Sequence, residues 1–189
     1  MKTELPFLTI RETGEEDYNT IMAVEKRAFG YDKEARLVAE LLRDTTANPL
    51  LSLLAFGDGE PVGHILFTRA VFEGNAASPL MHILAPLAVV PEFQNKGAGG
   101  RLIKTGIDLL RQRGSKAVFV LGHKEYYPKF GFVPHAARLG YNPPFPMPEE
   151  NGEFWMVQLL SDGTLEPGTL SCAATLNKPQ HWRDEEGDR

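Results

Sequence analysis

The chain has 189 residues, 42% of them hydrophobic and 24% charged, which suits one globular domain with an ordinary core and not a disordered or fibrous chain. A formal net charge of −5 offers no basic field to phosphodiester backbones or anionic lipid, so neither nucleic acid nor membrane is an expected partner. Met1 to Phe7 lacks the apolar segment of a secretory leader, no run approaches the ~18 apolar residues of a membrane span, and the single Cys172 precludes an internal disulfide. The expectation is a cytoplasmic protein without structural zinc, in which Cys172 lies beyond the core and is a poor nucleophile.

Leu8 to Glu12 alternates apolar and polar residues as a half-buried strand does, and the acidic run Glu15-Glu16-Asp17 follows where a helix N-terminus favours negative charge. Ile21, Val24, Ala28 and Phe29 give the first predicted helix its apolar stripe; Leu37, Val38, Leu41 and Leu42 do the same for a second, ending before Asn48-Pro49. Leu50–Phe56 and Val62–Phe72 read as a β-hairpin closed by Gly57-Asp58-Gly59-Glu60-Pro61. Met81–Val90 is apolar enough for a strand buried on both faces. Helix Gly99–Arg113, closed by Gly114, and strand Ala117–Leu121 complete a strand-helix-strand unit. A short amphipathic stretch at Glu125–Phe130, a Pro-rich loop through Asn142–Pro148 and a last strand at Phe154–Leu160 follow, and Asn177–Arg189 reads as a loosely held tail.

Gln94-Asn95-Lys96-Gly97-Ala98-Gly99-Gly100 joins a buried strand to an amphipathic helix, so unpaired backbone N–H groups converge at a positive helix end. Glycines there let the backbone approach an anion closely. A nucleotide P-loop is excluded because Gly99-Gly100 is followed by Arg101-Leu102 and not Lys-Ser/Thr; a dinucleotide fingerprint is excluded because the third glycine and the distant acid are missing.

The segment Leu87-Ala88-Val89-Val90-Pro91-Glu92-Phe93-Gln94-Asn95-Lys96-Gly97-Ala98-Gly99 resembles the acyl-CoA loop of GNAT N-acetyltransferases, with its Gln/Arg-x-x-Gly-x-Gly/Ala pattern. Downstream, Tyr126-Tyr127-Pro128-Lys129-Phe130-Gly131-Phe132 resembles the family's Tyr-x-x-x-Gly-Phe signature. The resemblance covers roughly residues 8 to 160 and is strongest from 84 to 133, closest to a bacterial subgroup reading Pro-Leu-Ala-Val early and Tyr-Tyr-x-x-Phe-Gly-Phe late. It implies an α/β (α+β) fold: a mixed, twisted sheet of about seven strands with flanking helices, strands four and five splayed. It further implies a single acyltransferase domain over 1–160, with 161–189 a C-terminal extension, partly packed or flexible.

By that resemblance the chain is an acetyl-CoA-dependent N-acetyltransferase acting on a small-molecule or peptide primary amine by direct attack, as a monomer or homodimer. Backbone groups of Leu87, Ala88 and Val89 would pair with the pantetheine amides. N–H groups from Gln94 through Asn95, Lys96, Gly97, Ala98, Gly99 and Gly100 to Arg101 would hold the pyrophosphate. Lys96, Arg101 and Lys104 are either contacts for outer phosphates or solvated surface charge.

Tyr127 takes the position of the acid that protonates the departing thiolate, and Tyr126 a packing or substrate-facing one. The candidate base is His123, whose ordinary pKa near 6.5 suits proton transfer at neutral pH, with His82, His64 and Glu92 as alternatives. The first two helices and the hairpin around Ala70 are expected to wall the acceptor site, and Phe72, Phe145, Met147 and Trp155 are either liners or core. The alternative function is a non-catalytic acyl-CoA-binding or regulatory module; an interaction scaffold leaves both motifs unexplained.

Overall fold

The computed structural model describes residues 7–163 and 165–182. Leu8–Glu12 (β1) pairs antiparallel with Leu51–Gly57 (β2), which pairs with the long Glu60–Phe72 (β3), which in turn pairs with Met81–Val89 (β4). Ala117–Leu121 (β5) lies parallel to β4, and Trp155–Leu159 (β7) closes that side antiparallel to β5. Two short strands, Tyr141–Asn142 (β6) and Gly168–Cys172 (β8), pair with each other, and β8 also runs along the end of β3. The sheet therefore has eight strands, with β1-β2-β3-β4-β5-β7 as its main order.

Two helices from the segment after β1 cover one face. Tyr18–Phe29 (α1) buries Ile21, Val24 and Glu25 and closes at Gly30, whose φ of 77° is the left-handed conformation glycine adopts freely. Lys33–Arg43 (α2) buries Ala35, Val38 and Leu41 at helical spacing. Arg11 of β1 grips Asp17 with both guanidinium nitrogens at 2.7 Å, fixing the turn between β1 and α1 and holding the Asp17 carboxyl down at about 2.

On the opposite face, Ala98–Gln112 (α3) crosses from β4 to β5 and buries Leu102, Ile103, Gly106, Ile107 and Leu110. Sheet and helix approach closely at two glycines, Gly63 of β3 and Gly106 of α3. A Cβ on Gly63 would come within 2.9 Å of Leu102 Cδ1, and one on Gly106 would strike the ring of Phe67.

The C-terminal part packs further in than its sequence suggests. Leu170 of β8 is fully buried, and Cys172 of β8 pairs with Ala70 inside the sheet, where burial pushes its thiol up to about 12 and makes it inert. Trp182 stands edge-on to Trp155 at 5.6 Å and donates its indole N–H to the Leu176 carbonyl, so residues 177–182 are held; the rest of the expected tail, 183–189, lies outside the described residues. Trp155 and Phe72 are core residues that stack near Phe119 and Tyr141 and do not wall a site. No helix among the described residues is long and apolar enough to cross a membrane.

Gly106→Ala must move either Phe67 or the helix, because Phe67 is fully buried. The substitution is expected to lower stability by about 1–3 kcal/mol, measured by denaturant unfolding; wild-type stability would show that α3 is not seated this closely.

Candidate active site

The site begins where β4 and β5 part. They pair from Met81↔Ala117 to Leu84↔Val120 and no further. On its other side β4 stays bonded to β3, but Ile65 opposes Leu87 while Phe67 opposes Leu84, so β4 carries one extra residue around Ala85-Pro86. That bulge turns β4 away from β5, and Gly122 follows β7 instead, donating its N–H to Phe154 O at 2.9 Å.

Beyond the bulge the polar groups of β4 sort by alternation. Val90 donates its N–H to Val62 O at 2.9 Å, so Ala88 also faces β3, and Leu87 and Val89 turn their N–H and C=O groups toward the gap. The Val89 carbonyl is taken by Gln94 Nε2 at 2.9 Å. The Leu87 N–H and C=O and the Val89 N–H form the open strand edge, and Ala88 contributes none of these groups.

The glycine-rich turn lies beside that edge. Gly97 caps α3 in the left-handed conformation at φ 93°, and the first helical bond runs from Arg101 N–H to Gly97 O at 3.1 Å. Ala98, Gly99 and Gly100 therefore have N–H groups without an intrahelical acceptor, at the positive end of a fifteen-residue helix. Two residues drop out of the expected donor set. The Arg101 N–H closes that first turn and its guanidinium holds Leu8 O at 3.1 Å, while the Gln94 N–H bonds Pro91 O at 3.3 Å, so the free donors lie between them. Lys96 stands 5.4 Å from the Phe93 ring and Lys104 6.0 Å from the Phe130 ring, flanking the turn with positive charge.

Strand edge and helix end meet at Gly99. A Cβ there would strike the Tyr126 hydroxyl and sit 3.5 and 3.6 Å from the side chains of Leu87 and Val89. Tyr126, Tyr127, Phe130 and Phe132 form an edge-to-face cluster with centroid separations of 5.1 to 5.6 Å, seated on the turn after β5. Tyr127 packs its ring against Gly122, where any Cβ would collide, and no described residue hydrogen-bonds its hydroxyl. Burial first, then the neighbouring Tyr126, push the Tyr127 pKa well above the ordinary tyrosine value, so the hydroxyl keeps its proton at any physiological pH.

The four candidate bases separate by position. His123 is exposed beside the gap, and its carbonyl accepts the N–H groups of Tyr126 and Tyr127 at 3.1 and 3.3 Å, which shapes the aromatic turn. His82 is buried at the closed end of β4, donating Nε2–H to Pro49 O at 2.8 Å, with Ser115 Oγ 2.9 Å from Nδ1. Glu92 is exposed and pairs with Arg27 at 3.5 Å. His64 is fully buried between Ser52 and Glu25 on the α1 face. Glu25 was not anticipated as a polar participant; its signal is a carboxylate inside the Ile21-Val24-Ala28 stripe. Ala70 pairs with Met81 at the end of β4 that stays bonded to β5.

Tyr127 is expected to ionise only above the ordinary tyrosine range of about 10. In an alkaline ultraviolet titration, wild type and Tyr127→Phe should overlap up to about pH 11; loss of one tyrosine's absorbance from the variant below that pH would mean the hydroxyl is not shielded.

A model for the acetyltransferase (GNAT) family matches residues 18–132. The uncharacterized N-acetyltransferase YjhQ of Escherichia coli (strain K12) is 57% identical over 163 residues, covering 86% of this chain and 88% of that protein. Among solved structures, the GNAT family N-acetyltransferase YhbS from Escherichia coli in complex with CoA superposes with a TM-score of 0.78 at 28% identity, over 90% of this chain and 92% of that one. A GNAT family acetyltransferase from Brucella melitensis in complex with acetyl-CoA gives 0.72 at 26% identity, over 90% and 98%.

Proposed function

The chain belongs to the GNAT acetyltransferase family, and on that premise we propose that it transfers an acetyl group from acetyl-CoA to a primary amine, by direct attack within a ternary complex. The observation that carries this reading is the junction at Gly99, where an unpaired strand edge, a bare helix N-terminus and the tyrosine turn converge without room for a side chain. The two structural neighbours that hold CoA and acetyl-CoA support the same ligand class here.

The residues present fit acetyl-CoA. Leu87 N–H and C=O and Val89 N–H match the alternating amides of a pantetheine arm, as an added strand would. Asn95, Lys96, Gly97, Ala98, Gly99 and Gly100 offer N–H groups to the pyrophosphate, a job that needs backbone donors and helix-end charge and no particular side chain. Acetyl-CoA brings the activated acetyl carbonyl and a thiolate leaving group.

Tyr127 serves as the general acid. A phenol held protonated by burial cannot take a proton from the amine, but it has one in place to share with sulfur as negative charge builds on the departing thiolate. The amine must arrive neutral or be made so. His123, exposed at the gap, and the buried Glu25–His64 pair are the two candidates for that proton.

The test is thiol release from acetyl-CoA with spermidine, glucosamine and a peptide bearing a free α-amino group. Tyr127→Phe is expected to keep acetyl-CoA affinity while turnover falls about 10²- to 10⁴-fold. Equal turnover in wild type and variant would remove Tyr127 as the acid. Cofactor binding without turnover on a broad amine panel would favour the non-catalytic module.

Gly99→Val is expected to weaken acetyl-CoA binding at least tenfold, ~1.4 kcal/mol, by driving a side chain into Tyr126 and the strand edge. Unchanged affinity in a folded variant would move the cofactor elsewhere.

A further inference from the structure

Four polar side chains cross the sheet in one line. Thr13 Oγ1, just past β1, lies 2.8 Å from Ser52 Oγ on β2; Ser52 Oγ lies 2.9 Å from His64 Nε2 on β3; His64 Nδ1 lies 2.5 Å from Glu25 Oε1 on α1. His64 and Glu25 have fully buried side chains, Ser52 is 3% exposed, and Thr13 is partly exposed. The line thus runs from the surface into the interior. It ends on an oxygen, Glu25 Oε2, that is buried and has no hydrogen-bond partner among the described residues.

The inner end lies one strand from the open edge. The line follows the strand order β1, β2, β3, and His64 is paired with Ala88 of β4, between the two residues whose backbone groups form the open edge. Helix α1 packs across both β3 and β4, and two residues beyond Glu25 its Arg27 reaches Glu92, just past the end of β4. Glu25 therefore lies on the face opposite α3, bonded to the strand that neighbours β4. No other buried titratable side chain comes from these strands or from α1 beside the inner end; Arg11 and Glu12 of β1 are exposed. β2 carries none; Glu60 and Arg69 of β3 and Lys26 and Arg27 of α1 are exposed, Tyr18 is at the far end of α1, and His82 is at the closed end of β4.

Packing alone does not account for this arrangement. A buried carboxylate with an unpaired oxygen destabilises a fold relative to an apolar side chain of similar size. The chemistry of the line does account for it, since each hydroxyl both accepts and donates, an imidazole can accept at one nitrogen while releasing from the other, and the carboxylate has a free oxygen to receive.

We propose that Glu25, His64, Ser52 and Thr13 form a proton-exit line for the acceptor amine, an inference that rests on the acetyl-transfer reading above. Acetylation of an alkylammonium forms an N–C bond, breaks a C–S bond and releases one net proton: sulfur takes the proton of Tyr127, nitrogen loses two, and one of these restores Tyr127. The other enters at Glu25 Oε2 through a water, because that oxygen is buried. As it arrives, the proton shared between Oε1 and Nδ1 moves onto His64 and Nε2 releases its own to Ser52; the Ser52 and Thr13 hydroxyls, turned outward from the resting Thr13-to-Ser52 donation, pass their protons to solvent, and turning of the carboxyl and the imidazole restores the starting protonation. Among the described residues no hydrogen bond orients the His123 ring, whereas every member of this line is held by the next.

Glu25→Gln keeps the size and a hydrogen bond to His64 but accepts no proton. Acetyl-CoA affinity, measured by calorimetry, should stay within about twofold of wild type. Turnover at pH 7 with the amines of the screen should fall about 100-fold or more, and the loss should shrink as pH rises toward the amine's own pKa, where the nucleophile arrives neutral. No loss, or the same loss at every pH, overturns the proposal. A second measurement needs no acceptor: by nitrogen-15 NMR the buried His64 ring N–H should exchange with water at least tenfold faster in wild type than in Thr13→Val, which leaves the buried pair intact. Equal exchange overturns the line on its own, while failure to bind acetyl-CoA would overturn only the cofactor reading.

Discussion

The site proposed for acyl-CoA depends on one break in a ladder. The extra residue at Ala85-Pro86 lets β4 keep its bonds to β3 while it leaves β5, so a central strand acquires an unpaired edge inside the protein. Buried backbone groups without partners are costly, and a strand edge is a template for whatever extended chain can pair with it. In this fold the edge lies beside a helix N-terminus, so an elongated ligand with amides along its length and negative charge at one end meets complementary groups at both positions.

The two faces of the sheet take different shares of the work. The α3 face is built for close approach: Gly63, Gly99 and Gly106 each give up a side chain where a helix, a hydroxyl or a ring must come near. The α1 face keeps polar groups buried, with His64 held on one side by Ser52 of β2 and on the other by Glu25, which the packed helix supplies. An acyl donor bound from one side and an amine deprotonated from the other is the division this geometry favours. Tyr127 has its ring fixed by Gly122 and Phe132 and its proton fixed by burial.

Much of this was legible before any coordinates. The strand-glycine-helix pattern located the cradle because backbone donors at a helix start follow from local chemistry, and the order of predicted elements located the strand-helix-strand unit around it. What stayed hidden depends on tertiary partners. Nothing local distinguishes Arg101, whose N–H is consumed by the first helical turn, from Gly100, whose N–H is not. The run Gly168–Cys172 is too short and too polar to announce a strand, and becomes one only against β3 and β6. Phe72 and Trp155 look alike as pocket liners or core until Phe119 and Tyr141 are stacked near them. Glu25 did leave a trace, a charge on an apolar stripe, but its meaning required His64 from a strand 39 residues away.

The central claim is that the β4 edge and the α3 N-terminus together form a site for acyl-CoA, and calorimetric titration of the wild-type protein tests it most directly. Acetyl-CoA and CoA should bind with closely similar affinity, while ATP and NAD, which share the phosphates but lack the pantetheine arm, should bind far more weakly or not at all. Equal binding of all four would reduce the site to a phosphate cradle without a strand edge, and no binding of acetyl-CoA to the folded protein would contradict the account.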